Sequence, residues 1–495
     1  MKRKLLELIS ILDDYQLIGD KNTSIYGVAD NSREVKKGYL FVAIDGMKSD
    51  GHEFISDAVK NGAVAVVVEK QITDSAEGVC FIKVEDSRKA LALIASNWYD
   101  NPSKKMKVVG VTGTDGKTTT ANLISWILNS SGKDAGVIST INAQIAGNKY
   151  DTGFHVTTPE PLKLHKFLSD MVEQGSKIAV LEVTSHGIQQ CRIHGIDFDI
   201  GVLTNITNEH LDYHTSYENY LLTKVKFLNE TRAVVINKKD ESFVKVIKLL
   251  NQSIKVYSYP DGKLDPKIKQ SVKKRFPEKY NQLNAEAAVI AARLLGVSGS
   301  EIAGSVRTFP PLRGRLESIR NNKGLDIFVD FAHTPNALEN VLRELRKDRK
   351  GKLIAVFGCA GERDRKKRSV MGEIAAKLTD ITIFTAEDPR SEDVNVIIDK
   401  MITGAKSAKA NEASFSNNED IFFSNDEHYY IKVPERGEAI FRAINSLAGS
   451  GDTIVVCGKG HERSMCYGKT EYVWSDHQAI KQALMGKILR LVRRS

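Results

Sequence analysis

The residues best equipped for chemistry are Gly113-Thr114-Asp115-Gly116-Lys117-Thr118-Thr119, directly behind the apolar run Val108-Val109-Gly110-Val111. A short β-branched run, a glycine-rich turn and a helix-compatible segment from Ala121 to Leu128 make the layout of a phosphate-binding loop. The glycines let backbone N–H groups close around phosphate oxygens, and the helix N-terminus adds the positive end of its dipole. Lys117 would reach the β- and γ-phosphates, and the Thr118 hydroxyl would ligate Mg²⁺. Val111 stands where the general pattern has its first glycine, so this is the shorter Gly-Thr-x-Gly-Lys-Thr form. The order of strand, loop, lysine and helix implies a bound nucleoside triphosphate.

Two further segments carry groups suited to the same chemistry. Glu182, in Leu181-Glu182-Val183-Thr184-Ser185-His186, closes a buried-looking strand. That end of an open α/β sheet is where ligands sit. Thr204-Asn205-Ile206-Thr207-Asn208-Glu209-His210-Leu211-Asp212-Tyr213-His214 again lies just past a strand. A carboxylate and an imidazole at neighbouring strand ends could hold a divalent ion bridging nucleotide and acceptor. Imidazole is an unusual partner for Mg²⁺, so a hydrogen-bonded loop histidine remains equally open.

These residues need a scaffold of strands with their ends at one edge. The length of 495 residues suggests three domains. A turn at Asn101-Pro102-Ser103 and a break near Pro310-Pro311 bound them at 1–103, 104–310 and 311–495. The middle part has strands at Val108–Thr112, Ile178–Val183 and Ile200–Asn205, separated by helix-length stretches. The last repeats the rhythm at Ile327–Asp330, Leu353–Gly358, Ile381–Thr385 and Thr453–Cys457. This order predicts α/β domains with mainly parallel sheets. Ser407 to Asn425 has a surface-insertion composition.

Composition excludes other classes. Hydrophobic content of 41% with 27% charged residues is ordinary for a globular protein. The longest apolar runs, such as Ala63–Val68, are far too short for a bilayer. Met1-Lys2-Arg3-Lys4-Leu5-Leu6 resembles the start of a signal peptide, but Glu7 and Asp13-Asp14 interrupt it, so an amphipathic cytoplasmic helix is expected. Five scattered cysteines without CxxC spacing argue against a disulfide framework or a zinc site. The net charge of +9 is spread along the chain. An anionic nucleotide ligand and a solvated lysine-rich face account for it without nucleic acid.

The phosphate loop, Glu182-Val183-Thr184-Ser185-His186 and Thr204-Asn205…His210-Leu211-Asp212-Tyr213-His214 together resemble the Mur ligases, and the likeness runs nearly end to end. It implies a first domain that holds a uridine nucleotide, a central ATPase domain with a phosphate loop, and a Rossmann-like C-terminal domain that holds an amino acid. Asn31-Ser32-Arg33, Gly38–Ala43 and Asp50-Gly51-His52 resemble the family's uridine-binding block. Asp30, Ser32, Met47, Lys48 and Ser49 are the implied uridine-side contacts. Thr157, Thr158, Thr184, Gln190 and Arg192 match positions that hold UDP-N-acetylmuramoyl-L-alanyl-D-glutamate. Asn284, Arg315, Asp330 and His333 join the phosphate loop in binding ATP, with Thr118, Glu182, His210 and Lys224 around Mg²⁺.

Lys224 lies in Tyr220-Leu221-Leu222-Thr223-Lys224, which resembles a family motif whose lysine is carbamylated and so becomes an anionic metal ligand. From residues alone it is one of several lysines on an amphipathic segment, and a solvated face is the plainer reading. Lys117, Lys224 and His210 are the implied catalytic residues. Glu387-Asp388-Pro389-Arg390 resembles the Asp-Asn-Pro-Arg motif of members that add meso-diaminopimelate. Arg390 would grip that amino acid's distal carboxylate, which L-lysine lacks. Arg363, Gly458 and Glu462 match the other acceptor positions. A surface salt bridge within Arg390-Ser391-Glu392-Asp393 is the alternative role for Arg390.

Some residues depart from the pattern. Glu387 and Asp388 replace Asp and Asn, Thr184 replaces a serine and Glu209 an aspartate. The stretch between Asn237 and Asn281 is short for the family, which implies a reduced accessory sheet. The expected partners are these two substrates, or L-lysine as acceptor, with ATP and Mg²⁺. A cytoplasmic monomer is expected, with no nucleic acid and no membrane insertion. Folylpolyglutamate synthases share the middle fold and chemistry but lack the Asn31-Ser32-Arg33 and Asp50-Gly51-His52 block.

Overall fold

The computed structural model describes the chain except residues 47–48, 71–76, 154–155, 348, 416–426 and 494–495. Its contacts divide it into two units. Unit 1 comprises Met1–Ile206 and Leu221–Phe309; unit 2 comprises Thr207–Tyr220 and Pro310–Ser495.

Unit 1 holds an eight-stranded sheet. Its order is Asn148–Tyr150, Ala143–Ile145, Ala135–Ile138, Ile178–Glu182, Lys107–Thr112, Phe198–Leu203, Thr231–Asn237 and Lys255–Tyr259. The last six pair in parallel, and the two strands at the Asn148 edge are antiparallel. A strand buried on both faces needs apolar side chains throughout, which is why Val108 to Val111 and Ile178 to Leu181 are continuous apolar runs. The register places Val111 opposite Glu182 and Thr112 opposite Leu203. Three strand ends are thereby level at one edge, carrying the phosphate loop, Glu182 and Thr204.

The helix behind the phosphate loop runs Lys117–Ser130, starting earlier than the Ala121 expected. Gly116 forms its N-cap in the left-handed region, at φ 81°. Glycine adopts this conformation without the Cβ penalty, so the first turn starts directly at the lysine. Between Asn237 and Asn281 the chain forms the helix Phe243–Leu249, the edge strand Lys255–Tyr259 and the helix Pro266–Arg275. Among the described residues this stretch extends the main sheet and builds no sheet of its own.

A second, five-stranded sheet of unit 1 has the order Gln16–Ile18, Cys80–Lys83, Ala63–Val68, Tyr39–Val42 and Gly27–Ala29. The N-terminal amphipathic segment is a short helix, Leu5–Ile9, which buries Leu5, Leu8 and Ile9 against it.

Unit 2 is built on a seven-stranded sheet. Its order is Glu317–Ile319, Asp326–Asp330, Thr453–Cys457, Leu353–Phe357, Ile381–Phe384, Tyr429–Lys432 and Asn411–Glu412. All pairings are parallel except the first. A small antiparallel sheet is formed by Ser464–Tyr467, Thr470–Val473 and Val492–Arg493. The expected insertion is partly structured: Ser407 ends the helix Val394–Ser407, and Asn411–Glu412 pair with the next strand. Its stretch 416–425 lies outside the described residues. Among the described residues, no helix is long and apolar enough to cross a membrane.

Candidate active site

The phosphate loop is shaped by close backbone approach. Gly113 and Gly116 both have positive φ; a Cβ at Gly113 would overlap the Thr204 hydroxyl, and one at Gly116 the Asn284 amide. Thr114 N donates to Asn205 O at 2.9 Å, and Asp115 N donates to Asn205 Oδ1 at 2.9 Å. Thr204 Oγ1 donates to Asp115 O at 2.6 Å. The Thr204-Asn205 turn thus fixes the loop from the adjacent strand, and Asn284 abuts its end. Lys117 curls back, its Nζ donating to Gly113 O at 3.1 Å and Thr114 O at 2.8 Å. Thr119 is buried on the next position of the first turn.

Thr118 and Glu182 meet beside the loop. Thr118 Oγ1 lies 3.0 Å from each carboxylate oxygen of Glu182, and Thr140 N donates to Glu182 Oε2 at 2.9 Å. Hydroxyl and carboxylate oxygens are the hard donors that Mg²⁺ takes alongside phosphate oxygens and water. Among the described residues no three His, Cys, Asp or Glu side chains form a metal cluster of their own.

Lys224, in the helix Tyr217–Asn229, is fully buried, and its Nζ donates to Gly113 O at 2.9 Å. The solvated face expected from its residues alone is not what forms. Burial, and then the charge of Lys117, push its amine well below the ordinary lysine range. His210 belongs to unit 2, where it stands in the left-handed region at φ 57° as the residue before the short helix Leu211–His214.

The residues expected to hold the nucleotide-linked peptide are gathered in unit 1. Thr158 Oγ1 donates to Glu182 O at 3.0 Å and lies 3.1 Å from Thr184 Oγ1, which accepts from Gly187 N. Thr140 Oγ1 donates to Thr157 Oγ1 at 3.1 Å. Arg192 donates to Thr158 O at 2.8 Å and to Gln190 Oε1, and pairs with Glu160 at 2.7 Å. Burial raises the Glu160 pKa; Arg192 opposes this, and the nearby Asp30 adds to it. Asp30 itself is raised by burial. Ser32 opens a 3-10 turn capped by Asn31, whose Oδ1 accepts from Arg33 N. Ser49 is exposed and its carbonyl accepts from Gly46 N at 3.0 Å, while Met47 and Lys48 lie outside the described residues.

Unit 2 carries the remaining residues expected from the sequence to bind the nucleotide. Asp330 accepts from Leu316 N at 2.6 Å and Ala332 N at 2.7 Å. Arg315 stacks 4.6 Å over the Phe331 ring, and His333 Nδ1 lies 3.0 Å from Phe331 O. Gly314 permits close approach to the loop after Cys457, since a Cβ there would overlap His461 N.

The loops expected from the sequence to hold the acceptor follow two strands of the same sheet, Ile381–Phe384 and Thr453–Cys457. Lys459 Nζ lies 2.9 Å from both oxygens of Asp388 and also pairs with Glu462, and Cys466 N donates to Asp388 Oδ1 at 2.9 Å. Glu387 is buried; burial and then Asp388 push its pKa up to about 7, against the pull of Lys459 and Lys367. Arg390 has φ 51°, and its Nη1 donates to Gly361 O at 2.8 Å. A salt bridge inside its own segment is not its arrangement: Glu392 pairs with Arg368 and Asp393 caps the helix Val394–Ser407. Gly361 lets Pro389 pass, as a Cβ there would overlap the Pro389 carbonyl oxygen. Burial and then the charge of Arg390 lower the Arg363 pKa, against the pull of Asp212, Glu387 and Glu209.

Several residues of these networks carry no motif. Thr140 is one, although its position just past the strand Ala135–Ile138 is the signal that could have found it. Lys367 is another; its Nζ lies 3.1 Å from Glu209 Oε1 inside unit 2, with both side chains buried. Nothing in their spacing, 158 residues apart, announces the pair.

Comparison with known proteins gives three family matches. Residues 24–99 match the model described as "Mur ligase family, catalytic domain". Residues 111–298 match "Mur ligase middle domain", and 314–460 match "Mur ligase, glutamate ligase domain". A UDP-N-acetylmuramoyl-L-alanyl-D-glutamate–2,6-diaminopimelate ligase of Clostridium acetobutylicum is 36% identical, over 96% of this chain and 99% of its own. One from Parabacteroides distasonis is 38% identical, over 93% of this chain and 94% of its own. A solved structure of a ligase of that name superposes with a TM-score of 0.61 at 26% identity, covering 98% of this chain and 99% of its own.

Proposed function

Since the chain belongs to the Mur ligase family, we propose that it joins meso-diaminopimelate to UDP-N-acetylmuramoyl-L-alanyl-D-glutamate in an ATP-driven step of peptidoglycan synthesis. The γ-phosphoryl group of ATP passes to a free carboxylate of the D-glutamyl residue, giving an acyl phosphate and ADP. The amine of the amino acid adds to the acyl carbon, and the tetrahedral adduct loses phosphate and a proton to leave the amide. One observation carries this reading: the phosphate-loop network and the acceptor loops lie in a chain that matches relatives of that name over almost its whole length.

The side chains have distinct tasks. Lys117 faces charge on the transferring phosphoryl group, a positioning and electrostatic role. Thr118 and Glu182 offer hard oxygens for Mg²⁺, which when bound would neutralise phosphate charge. Lys224 suits carbamylation. An amine must be unprotonated to capture CO₂, and burial beside Lys117 favours that form. Thr157, Thr158, Thr184, Gln190 and Arg192 would hold the muramoyl dipeptide, and Arg363, Arg390, Gly458 and Glu462 the acceptor. Asn284, Arg315, Asp330 and His333 complete the nucleotide contacts, and His210 the metal ligands. Such an enzyme acts in the cytoplasm, where ATP is abundant, and each chain carries a full set of these residues, so a monomer suffices.

Phosphate release, together with the mass of the nucleotide product, tests the reading. It should require ATP, Mg²⁺, the UDP-muramoyl dipeptide and meso-diaminopimelate together. ATP-dependent product with a folate in place of the muramoyl nucleotide would overturn it.

A further inference from the structure

Arg436 lies outside every site residue considered above, yet it touches both acceptor loops. It is the first residue of the helix Arg436–Arg442 and is buried, as is Asp476 at the start of the helix Asp476–Leu484. Arg436 Nε donates to Asp476 Oδ1 and Nη2 to Oδ2, both at 2.7 Å, the parallel fork that fixes a guanidinium plane. Trp474 Nε1 donates to Asp476 Oδ1 at 2.9 Å and completes the carboxylate's shell.

The donors turned away from Asp476 reach two carbonyls. Arg436 Nη1 donates to Ala386 O at 3.0 Å and Nη2 to Cys457 O at 2.8 Å. Ala386 immediately precedes Glu387-Asp388-Pro389-Arg390, and Cys457 immediately precedes Gly458-Lys459-Gly460-His461-Glu462. The strands leading to these loops are not neighbours, because Leu353–Phe357 runs between them. Sheet hydrogen bonds therefore cannot join the two loop origins directly. At Gly358, just beyond the intervening strand, a Cβ would overlap the Thr385 carbonyl oxygen, so the chain there passes close against the backbone that leads into Glu387. Lys459 and Asp388 tie the same loops further out.

We propose that Arg436 is a positioning residue for the acceptor site: it sets the separation of the two loop origins, and with it the distance between Arg390 on one loop and Glu462 on the other. Asp476 orients Arg436. Lysine cannot substitute, because one ammonium lacks the planar fork needed to hold Asp476 and both carbonyls at once. The inference rests on the acceptor reading of these loops and adds to it a residue that touches no substrate.

The test is steady-state kinetics on the full-length chain for Arg436→Lys and for the double variant Arg436→Met/Asp476→Leu. Removing both charges together leaves no unpaired buried ion, so the double variant keeps the fold accessible. The expected result is a KM for meso-diaminopimelate raised on the order of 10–100-fold, since a misplacement of about 1 Å in a positioned group can cost up to about 10²-fold. KM for ATP and for the UDP-muramoyl dipeptide should stay near wild type. A purely structural role would instead lower the folded fraction and leave all three constants unchanged in the folded protein, which overturns the proposal. Arg390→Ala run in parallel separates the two ideas. If it leaves the acceptor KM unmoved, the acceptor reading fails. If it raises that KM while the Arg436 variants do not, only the positioning role fails.

Discussion

Lys459 Nζ lies 2.9 Å from each carboxylate oxygen of Asp388, and both side chains are buried. The pair absorbs the negative charge that Asp388 carries where the diaminopimelate motif has asparagine. Arg390 is therefore not drawn onto its neighbour; its guanidinium is held by the Gly361 carbonyl instead.

Acceptor choice follows from that arrangement. Meso-diaminopimelate should be preferred over L-lysine, and Arg390→Ala should erase most of the preference. One charge-assisted bidentate contact accounts for about 1.5–3 kcal/mol, or roughly 10–150-fold in kcat/KM. The ratio of kcat/KM for the two amino acids, in wild type and variant, is the measurement. Equal use of lysine by the wild type would remove the diaminopimelate assignment and leave the ligase assignment standing.

Lys117→Ala should lose ligation while remaining folded. Its ammonium rests on two loop carbonyls, Gly113 and Thr114, so truncation removes charge at the phosphates without opening the core. The loss should be at least about 10²–10³ in kcat, the usual size for one preorganised electrostatic contact. Near-normal turnover in a folded Lys117→Ala protein would end the phosphate-loop assignment.

Lys224→Ala should be nearly inactive and partly rescued by short carboxylic acids, which supply the oxygen ligand that a carbamate would provide. Isotopic labelling gives the independent check. ¹³CO₂ equilibration of the wild type should produce one carbamate signal that is absent from Lys224→Ala. A signal of equal size in both proteins would count against Lys224.

Glu387 gives stability a pH dependence with a definite sign. In the fold its carboxyl keeps a proton up to about pH 7, against an ordinary value of 4.5. Folding therefore takes up a proton between these values. This contribution is fully present below pH 4.5 and is lost as pH rises through 7. Glu387→Gln should flatten the fall in Tm across that window. Superimposable Tm–pH curves for the two proteins would contradict it.

What the sequence made legible was whatever short-range pattern determines. The strand Lys107–Thr112 and its glycine loop are contiguous, and a doubly buried parallel strand must be apolar throughout, so Val108 to Val111 could be read directly. Glu182 was visible because it ends a similar run. Lys224 was not: one helical position separates a buried lysine from a solvated one, and only the packing of Tyr217–Asn229 decides it. Arg436 and Asp476 were invisible for the same reason. Their partners are set by loops that start 50 and 21 residues away from Arg436, and no local period records such distances.

The grouping of Thr207–Tyr220 with the second unit bears on how the chain can be taken apart. Cutting between Phe309 and Pro310 looks clean along the sequence, yet a fragment beginning at Pro310 would leave Glu209 behind. Lys367 would then keep its place in the fold without the carboxylate that faces it. Stripping one member from a buried ion pair costs about 3–5 kcal/mol. The second unit is modular in space but not in the gene: a transplant that takes only the contiguous stretch would carry a defect at Lys367, and one that grafts 207–220 with it would not.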